Sequence, residues 1–217
     1  MTAPMPDLDF VVVAARPADY CMVPTLNFEL AVTASQPVQA VALDCQIRVE
    51  AQSRRYRPGE RDALFELFGK AEDWPRTVRS LLWTHARASV GPISGPVRVE
   101  MPVPCTFDFN VVTTKYFAAL EEGQIPLLFL FSGAIFYCDS DGALQVGRVA
   151  WTKEAHFRLP VSAWHDLMEI YYPNSAWLCL RRDAFAQLAE FKSAHALPTF
   201  ELTLQRLLAN AADRTSS

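Results

Sequence analysis

The sequence lacks most of the motifs by which nucleotide-binding proteins and serine hydrolases are recognised. Its 217 residues include only eight glycines, and it contains neither a GxxxxGK[ST] phosphate loop nor a GxGxxG dinucleotide fingerprint. A GxSxG nucleophile elbow is also missing, because Ser132–Gly133 is not preceded by the first glycine of that motif. The sequence therefore gives no motif-based support for nucleotide binding or serine hydrolysis.

Positive charge is scarce as well. There are 20 Lys and Arg against 24 Asp and Glu, a net charge of −4. The densest basic cluster is Arg54, Arg55 and Arg57, and the acids Glu60 and Asp62 follow it directly. A nucleic-acid-binding face needs clustered basic groups to neutralise phosphates. We therefore expect no nucleic-acid partner, and we interpret the cluster as a solvated loop.

The cysteine pattern indicates a reducing compartment. The five cysteines are odd in number, widely spaced and free of any CxxC pair. This usage is typical of reduced thiols in a cytosolic protein. The amino-terminal segment has no basic region and carries Asp7 and Asp9, unlike a signal peptide. The longest apolar run, 125–137, would form a helix of about 20 Å, shorter than the ~30 Å membrane core. We expect a cytoplasmic protein with no membrane partner.

Alternating apolar and polar residues predict strands through the first two thirds of the chain. The segments 26–33 and 41–50 both show a period of two, and Gln36–Pro37 between them predicts a turn joining antiparallel neighbours. The proline-rich segment 96–104 is typical of an edge strand or a bulged strand. The run 127–137 is apolar at both parities, so the C-terminal helices or another protein must cover its second face. A further strand is expected around 149–159.

Helical periodicity follows Pro160, where Ser162 is a candidate N-cap. The sequence thus predicts an α+β fold, mostly antiparallel β and sandwich-like, with C-terminal helices packed on a sheet face. Since no linker interrupts the chain, we expect a single domain over 1–217. It would comprise a β-rich part (8–160), a helical part (161–210) and a frayed tail (211–217).

The candidate chemical groups do not converge in sequence. His165 and Glu169 lie four residues apart on one helix face, but a structural zinc site needs more ligands. Cys105 with His85 or His156 is a possible thiol–imidazole pair, although thiols on apolar strands are usually inert. We therefore assign no catalytic, cofactor-binding or metal-binding residue and expect no cofactor.

Aromatic residues are the remaining unusual feature. Trp164, Tyr171, Tyr172 and Trp177 are crowded into one short segment. They could pack helices against the sheet, or some could form an exposed anchor for a partner, because aromatic residues are enriched at interfaces. We take these four residues as a candidate interaction surface.

Six segments together resemble an uncharacterised bacterial family, a domain of unknown function: LLWTH (81–85), VPCTFDFNV (103–111), KYF (115–117), IPLLFLFSG (125–133), FRLPVSAWHDLM (157–168) and YYPNSAWLCLRRDAF (171–185). The resemblance covers about 26–208. Members of that family are encoded beside actinobacterial-type uptake [NiFe]-hydrogenase genes. The resemblance therefore implies a hydrogenase-associated accessory protein, and it carries over no catalytic residue.

Three functional hypotheses follow. The favoured one is a non-catalytic accessory protein for [NiFe]-hydrogenase assembly or maturation, with hydrogenase subunits or other accessory proteins as partners. An alternative is a small-molecule-binding or enzymatic module, with a pocket lined by residues such as Trp83, His85, Cys105 and Asp108. A third is a structural homo-oligomer in which a symmetry mate covers the doubly apolar strand. The sequence leaves the oligomeric state open, and it favours a non-enzymatic role.

Overall fold

The computed structural model describes residues 4–106, 111–175 and 178–215. The strands are β1 Leu8–Pro17, β2 Thr25–Ala34, β3 Ala40–Val49, β4 Leu81–Val90, β5 Val97–Pro104, β6 Gln124–Cys138, β7 Leu144–Arg148 and β8 Glu154–Pro160. The α-helices are α1 Pro58–Ala63, α2 Phe65–Phe68, α3 Trp74–Thr77, α4 Val111–Ala118, α5 Val161–Tyr171, α6 Arg182–Ala194 and α7 Phe200–Thr215, with 3₁₀ turns at Ala51–Ser53 and Ala71–Asp73.

The strands form two antiparallel sheets. The three-stranded sheet has the order β1-β2-β5, and the five-stranded sheet has the order β4-β3-β6, with both β7 and β8 on the far side of β6. The predicted α+β, sandwich-like fold is confirmed. The expected edge position of the proline-rich segment is also confirmed, because β5 ends the three-stranded sheet.

Aromatic rings from the two sheets meet in the core. Phe10 of β1 stacks on Phe131 of β6 with 4.4 Å between ring centroids, and Phe28 of β2 packs edge-on against Phe129 at 5.1 Å and Trp83 at 6.0 Å. Offset-stacked and edge-to-face pairs of this kind are the favoured aromatic geometries. Edges of the two sheets approach each other at two places, since β1 lies against β8 and β4 lies against β5.

The strands β2 and β3 are not neighbours, so the predicted antiparallel pairing of these segments is wrong. β2 belongs to the three-stranded sheet and β3 to the five-stranded sheet. The connection between them passes through a bridge from Val38 to Ile93, where Val38 N donates to Ile93 O at 3.0 Å. Alternation shows which face of a strand is buried, but it contains no information about which strand lies beside it.

The predicted strand around 149–159 is shorter than expected, because residues 149–153 form a turn that follows β7 and only β8 is a strand. β8 pairs with residues 124–130 of β6 and β7 pairs with residues 134–138, so the two lie end to end along one side of β6. Trp151 lies in the intervening turn and is 89% exposed, although its parity predicted a buried position. Gly133 lies opposite this turn with φ 143°.

The inner face of β6 is buried, as predicted for a doubly apolar strand. On its outer face Leu128, Leu130, Ala134 and Phe136 are half-buried. Helix α5 packs against β1 and β8 and buries Trp164 together with Val161, Leu167 and Met168. The helix begins directly after Pro160, and Ser162 makes no cap, because it already lies inside the first turn.

The chain divides into two compact units, Met1–Ser175 and Ala176–Ser217. The single-domain interpretation stays a prediction. In the second unit, Phe185 of α6 and Phe200 of α7 are 5.2 Å apart between centroids, and Thr199 Oγ1 accepts a bond from Leu202 N at 3.2 Å at the start of α7. Helix α7 continues to Thr215, through most of the segment predicted to fray. Among the described residues, no helix has both the length and the apolar character needed to cross a bilayer.

Candidate interaction surface

The four aromatic residues singled out from the sequence occupy different environments. Trp164 is only 5% exposed and packs edge-on against Phe117 at 5.8 Å, so it is a core residue and does not present a docking surface. Tyr171 and Tyr172, at the end of α5, are half-buried and pack against the core on one side. Trp177 lies outside the described residues.

Tyr171 ties the end of α5 to the loop between β1 and β2. Its hydroxyl donates a hydrogen bond to the carbonyl oxygen of Cys21 at 2.8 Å. The same loop is held at its base by Ala18 N, which donates to Thr25 O at 2.8 Å. The loop and the helix end are distant in sequence, and this contact makes them one surface.

The surface is apolar at its most exposed points. Tyr20 and Met22 are fully exposed at the tip of the loop, and Val23 and Ile170 are also exposed. We define the loop–helix patch as Tyr20, Met22, Val23, Ile170, Tyr171 and Tyr172. Tyr20 has φ 56°, a left-handed conformation that is uncommon for a residue with a large side chain. Clusters of exposed apolar side chains are typical of interaction sites.

The charged residues of the two chain segments that form the patch are acidic. Asp19 precedes Tyr20, and Asp166 and Glu169 lie on α5, whereas residues 17–25 and 161–175 contain no lysine or arginine. The Glu169 carboxylate accepts a bond from the backbone N–H of Asn174 at 3.2 Å. Acidic side chains in both segments favour a partner that carries basic residues, and they disfavour an anionic lipid surface.

Two of the thiols are unsuited to nucleophilic chemistry. Burial raises the pKa of both Cys45 and Cys105 to about 12. Cys105 Sγ donates to the carbonyl oxygen of Val103 at 3.4 Å, inside the sandwich. His85 is exposed on β4, and His156 lies at the surface with its Nδ1 3.1 Å from the Glu50 carboxylate. Buried thiols with raised pKa values react poorly because the thiolate is the nucleophile.

The pocket expected for a small-molecule module is nearly filled. Trp83 and Cys105 line a cavity of about 10 Å³ together with Phe117 and Trp164, which is room for about one water molecule. His85 is exposed, and Asp108 lies outside the described residues. A ligand pocket is usually 300–1,000 Å³, so this position offers no room for a metabolite.

His165 and Glu169, the candidate metal-binding pair, each make ordinary structural hydrogen bonds. His165 Nε2 lies 2.8 Å from the carbonyl oxygen of Leu120 and can donate to it, and the Glu169 carboxylate is bonded to the Asn174 backbone. Asp139 accepts bonds from Ala143 N at 2.9 Å and Gln145 Nε2 at 2.8 Å, which lower its pKa and close the hairpin turn. The described residues contain no group of three His, Cys, Asp or Glu placed to hold a metal.

The arginine cluster has a structural role that its sequence did not reveal. The Arg54 side chain is only 8% exposed, and its Nη2 donates to Glu60 Oε1 at 2.5 Å and to Glu122 O at 2.7 Å. Arg57 forms an ion pair with the exposed Glu122 side chain. Arg54 is therefore not part of a solvated loop, and its charge is neutralised internally.

Two tyrosines lie beside this ion pair. Tyr56 donates from its hydroxyl to Ala51 O at 2.6 Å, and the Tyr116 hydroxyl lies 2.8 Å from that of Tyr56. Burial raises the pKa of Tyr56 to about 12 and that of Tyr116 further still. Both phenols stay protonated at neutral pH, so they act as hydrogen-bonding groups of the fold.

Sequence reasoning missed Tyr20 and Met22, although a signal was present. Pro17 and Pro24 bracket a short segment in which the alternation of the flanking strands stops. Two prolines around a break in alternation indicate a loop, and large apolar residues at a loop tip are candidates for exposure. Their closeness to Tyr171 is a matter of tertiary structure.

Comparison with known proteins gives one extensive match. The model of a family described as "Family of unknown function (DUF6084)" matches residues 5–216. No curated protein matches the sequence.

The similar solved structures are distant. A CARDB domain from Pyrococcus furiosus in complex with di-metal ions is 11% identical, with 74% of this chain and 91% of that chain covered and a TM-score of 0.28. A protein described as late embryogenesis abundant is 11% identical, with 72% of each chain covered and a TM-score of 0.34. A β-glucosidase from Kluyveromyces marxianus is 9% identical, with 70% and 15% covered and a TM-score of 0.27. With TM-scores this low, these likenesses carry no argument.

Proposed function

This chain belongs to DUF6084, a family of unknown function, and we propose that it is a non-catalytic interaction protein that docks onto a partner through the loop–helix patch. The observation that carries the proposal is the exposure of Tyr20 and Met22 beside Tyr171, on a loop fixed to α5 by the bond from Tyr171 to Cys21. Rigid aromatic anchors are the residues that most often dominate binding energy at interfaces.

The partner is proposed to be a subunit or accessory protein of a [NiFe] hydrogenase, met in the cytoplasm during assembly or maturation. This part rests on the family resemblance described above. The patch adds a statement of chemistry: the partner surface would be apolar at its centre and would carry lysine or arginine opposite Asp19 and Glu169. The buried thiol of Cys105 and the nearly filled cavity beside it disfavour catalysis or ligand binding at that position.

The test is affinity purification from the native host, grown under hydrogenase-inducing conditions, followed by mass spectrometry. Three versions of the full chain are compared: wild type, a Tyr20→Ser/Met22→Ser double variant, and Val11→Ser. Tyr20 and Met22 are fully exposed, so their replacement should leave folding intact, and Val11 is an exposed apolar residue on β1 outside the patch. Circular dichroism checks the fold of each.

We expect hydrogenase subunits or their maturation proteins to be recovered with wild type and Val11→Ser, and to be lost with the double variant. Recovery that is equal for all three versions would show that the patch is not the docking surface. Absence of these proteins from every purification, in cells that express the hydrogenase, would contradict the hydrogenase association.

A further inference from the structure

The strand β7 leaves one edge of the five-stranded sheet without a neighbouring strand. Within residues 4–106, 111–175 and 178–215, β7 has β6 on one side and no strand on the other. By contrast, β8 lies against β1 and β4 lies against β5. An exposed edge is a template for pairing with another chain unless prolines, bulges or inward-pointing charges protect it.

The other edge strands carry such protection and β7 does not. β5 contains Pro102 and Pro104, and β1 has a bulge between Val12 and Ala14. The sequence of β7, LQVGR, contains no proline, and its pairing with β6 continues without a register shift. β7 is therefore the edge best suited to strand addition.

The backbone direction of β7 identifies the groups that face outward. Val149 N donates to Gly133 O at 3.1 Å, and the register pairs Gly147 with Ile135. Alternate residues of an antiparallel strand turn their N–H and C=O groups to the same side. The groups of residues 145, 147 and 149 therefore face β6, and those of Leu144, Val146 and Arg148 face away from it.

Two of these three residues, Leu144 and Val146, have apolar side chains that are exposed. Leu144 is 63% exposed and Val146 is 64% exposed, on the same outer face of the sheet as the half-buried Phe136, which is the partner of Val146 on β6. Extending the sheet beyond β7 would shield both residues from water and satisfy their backbone groups at the same time.

We propose that the β7 edge pairs with the β7 edge of a second copy of this chain, antiparallel about a two-fold axis at Val146. The two five-stranded sheets then form one continuous sheet. Val146 lies opposite its counterpart at a Cα separation of about 5.5 Å, the spacing of a hydrogen-bonded pair. Leu144 lies opposite Arg148 of the second copy, whose aliphatic stem covers it.

Charge complementarity selects a second copy as the occupant. The two Arg148 side chains lie on opposite sides of the axis, about 13 Å apart along the strands, so like charges do not face each other. Each Arg148 instead approaches the hairpin turn that precedes β7 in the other copy, which carries Asp139 and Asp141. Each copy therefore contributes Arg148 to one end of the pairing and the acidic hairpin turn to the other end.

The test measures self-association of the purified full chain by sedimentation equilibrium over a wide range of concentrations. Val146→Lys and Val146→Glu are examined separately and as an equimolar mixture. Val11→Lys is the matched control, since Val11 is a comparably exposed valine (56%) on another edge strand. Circular dichroism confirms that every variant is folded.

We expect wild type and Val11→Lys to form dimers. Val146→Lys and Val146→Glu should each raise the dimer Kd by at least about tenfold, which corresponds to 1.4 kcal/mol, because like charges then meet on the axis. The equimolar mixture should recover dimers, because Lys then faces Glu.

Three results would overturn the proposal: a monomeric wild type at every concentration, dimers of Val146→Lys as stable as those of wild type, or a mixture no more dimeric than the separate variants. If β7 binds a strand of a different protein, the purified wild type stays monomeric. The loop–helix patch plays no part in this measurement, so either proposal can fail without the other.

Discussion

Replacing Glu60 by glutamine should destabilise the protein strongly, because the carboxylate is the counter-ion of a buried arginine. The Glu60 side chain is fully buried and that of Arg54 is 8% exposed. Glu60 Oε1 accepts bonds from Arg54 Nη2 at 2.5 Å and Glu121 N at 3.0 Å, and Oε2 accepts from Arg57 N at 3.0 Å. Glutamine has nearly the same shape, so the change tests charge and hydrogen bonding rather than packing.

The expected loss of stability depends on which hydrogen bonds a glutamine at position 60 can keep. Its carbonyl oxygen can replace Oε1, but its NH₂ group then faces the N–H of Arg57, donor against donor. The guanidinium of Arg54 loses its counter-ion and retains bonds to the carbonyl oxygens of Gln124 and Glu122. Removing one partner of a buried pair costs about 3–5 kcal/mol, and we expect the lower end because those carbonyl bonds remain. A loss of about 3 kcal/mol corresponds to a decrease in Tm of about 6–12 °C at this chain length.

The assay is urea unfolding followed by tryptophan fluorescence and circular dichroism, with the denaturant slope compared between variants. The control is Glu122→Gln, the same substitution in the pair with Arg57, whose side chains are 54% and 60% exposed. Exposed pairs contribute about 0–1 kcal/mol. If Glu60→Gln costs no more free energy of unfolding than Glu122→Gln, the buried pair contributes no more to stability than the exposed one.

Two further predictions concern backbone conformation and thiol reactivity. Gly133→Ala should lower the free energy of unfolding by about 1–3 kcal/mol or more, because φ is 143° and a Cβ would lie 2.1 Å from the Ala42 carbonyl oxygen. Gly142→Ala is the control and should cost less, because its φ is 79° and a Cβ there would meet open space. Equal free energies of unfolding for the two variants in urea would contradict this. In native buffer at pH 8 a thiol reagent should modify the two exposed cysteines rapidly and leave Cys45 and Cys105 unmodified until the chain unfolds, because burial raises both pKa values to about 12. Rapid labelling of all five cysteines in the folded protein would show that Cys45 and Cys105 are accessible to the reagent. Because these two thiols ionise more readily in the unfolded chain, the free energy of unfolding should fall as the pH rises above their ordinary pKa of 9.0.

Period-two alternation predicted strands correctly where one face is buried and the other is wet. Phe28 and Leu30 face the core on β2, and Glu29 faces outward between them. The same rule failed at Trp151, because this residue lies in the turn between β7 and β8 and not on a strand, and the composition does not mark that turn clearly. It also failed for the neighbours of β2, since the pattern of one strand is the same whichever strand lies beside it.

The aromatic residues that the sequence suggested as an interaction surface lie in different environments in the structure. The aromatic segment at the end of α5 includes Tyr171 and Tyr172, which belong to the loop–helix patch, but it also includes Trp164, which the core absorbs. Periodicity cannot separate these residues, because an apolar helical face packs equally well against the same chain or against a partner. Tyr20 entered the surface only through the folding of the β1–β2 loop against α5.

The sequence by itself determined the fold class, the scarcity of catalytic motifs and the positions of most strands and helices, because these depend on residue type and on the local period of hydrophobicity. Tertiary structure decided the rest. It paired Arg54 with Glu60, filled the space around Cys105, joined the loop at Tyr20 to Tyr171 and left the β7 edge open. These features depend on contacts between segments that are distant along the chain, and such contacts form only when the whole core packs.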